Sequence, residues 1–141
     1  MQIYTTYKVK IKHYNHIFKD TISIYRESVN FLIEVCLSEW DVVAGLNSNQ
    51  RINCVERLTH TTKDNPEPKY DFDSKFYKMP SYLRRGAISE AIGKVSSYKS
   101  NLKNWSDNPI GKEPSVPKAG YTFPSMYRTV MYNRQTIIEH R

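Results

Sequence analysis

Phe18, Ile22, Tyr25, Val29, Leu32, Cys36 and Trp40 recur at steps of four, three, four, three, four and four. That rhythm keeps all of them on one face of a helix with 3.6 residues per turn, and Ile33 and Leu37 broaden the stripe. A helix this long and this one-sided must find something apolar to lie against, so the rest of the chain is read as its partner. Asn15 is placed to cap the start, and Gly45 with Asn47 marks the exit. A second long helix is expected from about Ser81 to Trp105, with Leu83, Ala87, Ile88, Ala91, Val95, Tyr98, Leu102 and Trp105 as its apolar set. Arg85, Lys99 and Lys103 fall on one flank of it. Arg84 lies nearer the apolar side, where it is either paired or reaching for a ligand. A shorter helix over Ser48–Leu58 is supported by Ile52, Val55 and Leu58.

Between these helices, Pro66 and Pro68 forbid continuous helix across Thr59–Pro80, and Phe72, Phe76 and Tyr77 are expected to pin this connector to the core. The ends of the chain change period. Ile3, Tyr7, Val9 and Ile11 alternate with Tyr4, Lys8, Lys10 and Lys12, the period-two pattern of a half-buried strand. Its lysine face is either simply solvated or turned to phosphate. Met126–Tyr132 and Thr136–Glu139 read as two further strands with Asn133 and Arg134 in a turn. The polar stretch Ser106–Gly120, with three prolines and two glycines, reads as a linker. The expected fold is therefore α+β, a small antiparallel sheet interrupted by a helical insertion. Its parts are a first strand over 1–13, helices over 14–105, a linker over 106–120 and returning strands over 121–141.

At 141 residues the chain fits one compact domain or two small subdomains sharing a core. Hydrophobic residues make up 39% and aromatics 13%, which excludes disorder on composition. The 21 Lys and Arg against 14 Asp and Glu give a formal charge of +7, which attracts polyanions such as nucleic acid or an anionic surface. No apolar run approaches the roughly 20 residues of a spanning helix. The alternating N-terminus is unlike a secretory signal. Cys36 and Cys54 sit in helical stretches and are expected as reduced thiols rather than a disulfide. A cytoplasmic protein with no membrane partner is expected.

Catalytic and metal constellations find no support. His13, His16, His60, His140, Cys36 and Cys54 form no Cys-x-x-Cys pair and no His-Glu-x-x-His helix, so no metal site is expected. A His-hydrophobic-His metal pair serving a tyrosine nucleophile requires a spacing of two, whereas His13 and His16 are three apart. There is no Gly-x-Ser-x-Gly elbow and no glycine-rich phosphate loop, and Asp71, Asp73 and Glu90 read as surface acids. No cofactor is expected, and the chain is not expected to be an enzyme.

The stretch Lys69–Trp105 carries Tyr70-Asp71-Phe72, Pro80-Ser81-Tyr82-Leu83-Arg84-Arg85, Ala87-Ile88, Ala91-Ile92-Gly93 and Ser96-Ser97-Tyr98. With Tyr7-Lys8-Val9-Lys10, Tyr25-Arg26 and Trp40 upstream and Phe123-Pro124-Ser125-Met126-Tyr127 downstream, it resembles the N-terminal region of the TnpB (OrfB-type) transposase family. The resemblance covers essentially the whole chain as a mosaic of short pieces. It implies a wedge-like partial β-barrel with an inserted helical recognition lobe, belonging to a transposon-encoded, RNA-guided nuclease. The nuclease part, with its metal-binding acids, would be missing after Arg141, leaving no cleavage activity. The implied partners are a structured guide RNA and DNA, gripped by backbone and shape. Lys8, Lys10, Lys12, Arg84, Arg85, Lys99 and Lys103 would then contact phosphate. Tyr82 and Tyr98 would stack on bases or else fill the core. Two rivals stay open: a domesticated module that binds protein, such as a partner transposase, and a remnant without function.

Overall fold

The computed structural model describes residues 2–5, 7–8, 16–77, 79–120, 129–132 and 137–140. Five helices dominate them: α1 (His16–Ser38), α2 (Trp40–Val43), α3 (Ser48–Thr59), α4 (Phe72–Lys75) and α5 (Ser81–Asp107). A hairpin of β1 (Thr129–Tyr132) and β2 (Ile137–His140) follows, antiparallel, with Thr129 opposite His140 and Tyr132 opposite Ile137.

The long helices α1 and α5 form the principal packed pair, and α3 lies against α5. From α1 come Tyr25, Val29, Leu32 and Cys36, and from α5 come Leu83, Ala87, Ile88, Ala91 and Val95, all buried. Each large aliphatic or aromatic side chain sequestered in this way contributes about 1.5–3 kcal/mol. The rhythm of α1 is thus used as its spacing predicts, although Phe18, Ile22 and Trp40 at the ends are only half-buried. Val55 reaches the core from α3, Phe72 from α4 and Phe76 from the residue that caps its end. Phe31 meets both of these rings edge-on, at centroid separations of 5.7 and 6.1 Å. Tyr77, expected to help pin the connector, is instead 61% exposed.

The helix expected to run unbroken to Gly45 is interrupted at Glu39, whose φ of −109° and ψ of 14° separate α1 from α2. The physical gain is a tether. Glu39 Oε1 accepts from Lys69 Nζ at 2.6 Å and from the Tyr70 hydroxyl at 2.9 Å, which ties the end of α1 to the connector. These two donors hold the Glu39 carboxyl below the usual carboxylate range.

The expected α+β class is corrected to a predominantly helical fold. Among the described residues the two-stranded hairpin is the whole of the sheet, with β1 against α1, so no wedge-like barrel encloses a helical insertion. The expected opening strand is absent where it is described: residues 2–5 and 7–8 have no regular structure. Ile3, Tyr4 and Tyr7 are 76%, 82% and 81% exposed. Alternation is a local pattern, and a strand needs a paired neighbour and a covered face before the pattern has value. Lys10 and Lys12 lie outside the described residues. Of the segment expected as a linker, 106–120, Ser106 and Asp107 complete α5 and residues 108–120 run back along the helices as a strap. Ala119 N donates to Asn30 Oδ1 at 2.8 Å, and Arg26 Nε donates to the Ala119 carbonyl at 3.1 Å.

Candidate nucleic-acid interface

Four of the described arginines, Arg26, Arg51, Arg84 and Arg85, are engaged inside the protein. Arg26 holds the strap. Arg51 donates to the Leu46 and Ala44 carbonyls at 3.0 and 2.8 Å, closing the end of α2. Arg84 and Arg85, in the first turn of α5, converge on one carboxylate of α3: Arg84 Nη2 lies 3.0 Å from Glu56 Oε1 and Arg85 Nη1 lies 2.5 Å from Glu56 Oε2. The Arg84 side chain is only 10% exposed, and its Nε is buried without a hydrogen-bond partner among the described residues. Its position near the apolar side of α5 is therefore resolved as a pair rather than a reach for ligand.

Five lysines of α5 and the strap behave differently. Lys94, Lys99 and Lys103 on the second half of α5, and Lys112 and Lys118 on the strap, form no ion pair with a carboxylate among the described residues. Lys99 and Lys103 are one turn apart on a flank of the helix. Lys94 opens elsewhere, into a cleft of about 420 Å³ between α5 and the strap. Gly93, Lys94, Ser97, Tyr98 and Asn101 form its helical wall, and Pro114, Ser115 and Pro117 the facing one. Gly111, at φ 81°, turns the chain from α5 into the strap. The Trp105 indole donates to the Gly111 carbonyl at 3.3 Å and braces the turn.

Of the residues expected to touch nucleic acid, Tyr98, Lys99 and Lys103 share this end of α5. Tyr82, 47% exposed, and the Arg84–Arg85 pair sit at the opposite end, and Lys8 is exposed on the N-terminal segment. The structure does not gather them into one surface. Lys94, Ser97 and Asn101 escaped notice although their spacing with Tyr98, three, four and seven residues on from Lys94, is a polar helical stripe visible in the sequence. Lys112 and Lys118 carried no such signal, because a strap takes its direction from where it docks.

A second cleft, about 600 Å³, is lined by Asn53, Glu56, Arg57, His60 and Asp64 among others. Beside it Asp73 Oδ2 accepts from Thr61 N and contacts His60 Nδ1, both at 2.8 Å, joining the end of α3 to α4. This fixes the imidazole but offers no nucleophile. Among the described residues no three His, Cys, Asp or Glu side chains come together as a metal site. Burial pushes the Cys36 thiol up to about 12, so it stays protonated and unreactive. No described helix is long and apolar enough to cross a membrane.

The Aq_aa04 family model matches residues 5–140. A relative in Aquifex aeolicus (strain VF5), "Uncharacterized protein aq_aa04", is 34% identical over 130 residues, covering 84% of this chain and 71% of the relative. The chain belongs to the Aq_aa04 family. No solved structure matches it. This overturns the resemblance to the TnpB transposases, on which the transposon, guide-RNA and truncated-nuclease expectations rested. The family match takes in the very pieces that carried that resemblance, PSYLRR and AIGKVSSY. Those pieces are generic in physical terms: a proline opening a helix, then small and aliphatic residues at helical spacing.

Proposed function

We propose that this Aq_aa04-family chain binds nucleic acid through the phosphate backbone, on the lysine-bearing surface of the second half of α5 and the strap. The supporting observation is the division of labour among its cations. Arg26, Arg51, Arg84 and Arg85 are consumed internally by Glu56 and by backbone carbonyls, while Lys94, Lys99, Lys103, Lys112 and Lys118 have no carboxylate partner among the described residues. Residues 94–120 set these five lysines against Asp107 and Glu113 alone. A cation with no internal partner keeps its full attraction for a polyanion, and releasing counterions from phosphate makes such binding steeply salt-dependent. A cytoplasmic setting accords with the free thiols Cys36 and Cys54. Binding, without a catalytic step, is the activity proposed.

The test is fluorescence anisotropy with labelled oligonucleotides across roughly 50 to 200 mM salt. Affinity should fall linearly on a logarithmic plot. Replacing Lys94, Lys99 and Lys103 together with alanine should flatten the slope by about two to three units, since each phosphate contact contributes about 0.7–0.9. These side chains lie outside the core, so the thermal unfolding of the variant should hardly change. A slope identical to that of the parent would sink the proposal.

A protein-interaction module is the second reading. Tyr77 and Tyr82, 61% and 47% exposed, flank the α4–α5 connection, and exposed tyrosines serve protein contacts well. Partner binding by an apolar surface barely responds to salt, so the same titration separates the two.

A further inference from the structure

We infer that the cleft between α5 and the strap seats one unpaired base, which makes the protein a binder of single-stranded rather than duplex nucleic acid; this rests on the nucleic-acid reading above. Three clefts among the described residues differ in what they would offer a nucleotide. The one beside Glu56 and Asp64 presents carboxylates to an incoming phosphate. The groove between α3 and α5 has Arg51 for its cation, and that guanidinium is already spent on two carbonyls. Of the three, the α5–strap cleft combines an uncommitted ammonium, Lys94, with an aromatic ring, Tyr98, on one wall and the apolar pyrrolidine rings of Pro114 and Pro117 on the other.

Its volume of about 420 Å³ falls in the range of roughly 300–1,000 Å³ in which small-molecule sites occur. Ser97 and Asn101 add a hydroxyl and an amide to the helical wall of the cleft. An amide presents both a donor and an acceptor, which suits the edge of a base. Stacking on an aromatic ring beside a cation that takes the phosphate is how single strands are held without strict sequence preference. In a duplex each base is stacked and paired, so it reaches such a cleft only after extrusion. Phosphate contacts alone would not distinguish the two forms.

The experiment compares three probes on the full chain at one salt concentration: labelled oligothymidylate, a hairpin duplex with as many phosphates, and an abasic strand of the same length. The expected result is that oligothymidylate binds about tenfold tighter than the other two, the scale of one stacked base. Tyr98→Ala should lose that preference and Tyr98→Phe should keep it. Equal affinity for all three probes overturns the base-seating cleft while leaving backbone binding intact, provided the affinity still falls with salt. No salt-dependent binding to any probe overturns both. Should Tyr98→Ala fail to fold, the abasic comparison on the parent protein decides the matter by itself.

Discussion

Glu56 holds two arginines, and the two are not equivalent. The Arg84 side chain is 10% exposed and Arg85 47%, with Glu56 between them at 20%. Removing one partner of a buried pair leaves an uncompensated charge, at a cost of about 3–5 kcal/mol, whereas an exposed pair contributes about 0–1 kcal/mol. Because Glu56 keeps some access to water, Glu56→Ala should lower stability by about 3 kcal/mol, the lower end of that range. Arg85→Ala should cost less than about 1 kcal/mol. Urea unfolding midpoints of the two variants measure the contrast, and equal losses would contradict the assignment of Arg84 as the structural member. The helical angle of Arg84 was legible in the sequence, and it narrowed the choice to pairing or ligand binding. The partner was not legible, because Glu56 lies 28 residues away on another helix.

At the scale of elements, the periodic stripes of α1 and α5 were legible because a buried helix face must repeat every three or four residues. The start of α3 was marked by Asn47, though in the sequence it stood as the exit of the preceding helix. In the structure it caps the next one: Asn47 Oδ1 accepts from Gln50 N at 2.9 Å and Gln50 Oε1 accepts from Asn47 N at 3.2 Å, a reciprocal capping box. Asn47→Ala should therefore destabilise the protein by about 1 kcal/mol, read as a lowered thermal midpoint. Asn47→Ser, which retains a capping oxygen, should restore most of it. The opening strand shows the opposite outcome. Its alternation was clear, yet Ile3 and Tyr7 remain exposed, since the value of a strand lies in partners that local pattern does not supply.

Across the whole molecule, stability depends on ties between distant segments as well as on the α1–α5 core. The Tyr25 hydroxyl donates to Glu90 Oε2 at 2.7 Å and links the two long helices directly. The Glu39 tether to Lys69 and Tyr70 fastens the connector, and its carboxyl is held below the ordinary value of 4.5 by hydrogen bonds from those two residues. A carboxyl that is more acidic folded than unfolded stabilises the native state above its unfolded value. That contribution is lost as pH falls through the lower, folded value. Acid titration should accordingly show the parent losing stability as pH drops below about 4.5, while Glu39→Gln, which cannot ionise, lacks this component. Parallel pH profiles for the two proteins would exclude the tether as a source of acid sensitivity.

The sequence by itself determined that two long amphipathic helices form the body of the protein, that Phe72 and Phe76 are drawn into their core, and that a basic chain has cations to spare. These are local properties: helical period, proline punctuation and charge can all be counted along the chain. Only the tertiary structure decided that the expected sheet shrinks to a hairpin among the described residues. It also decided that Glu56 consumes Arg84 and Arg85, and that the strap folds back through Ala119 onto Arg26 and Asn30. Which cation is left free for a ligand depends on which carboxylates and carbonyls lie within hydrogen-bond reach, and that is set by packing between segments far apart in the chain.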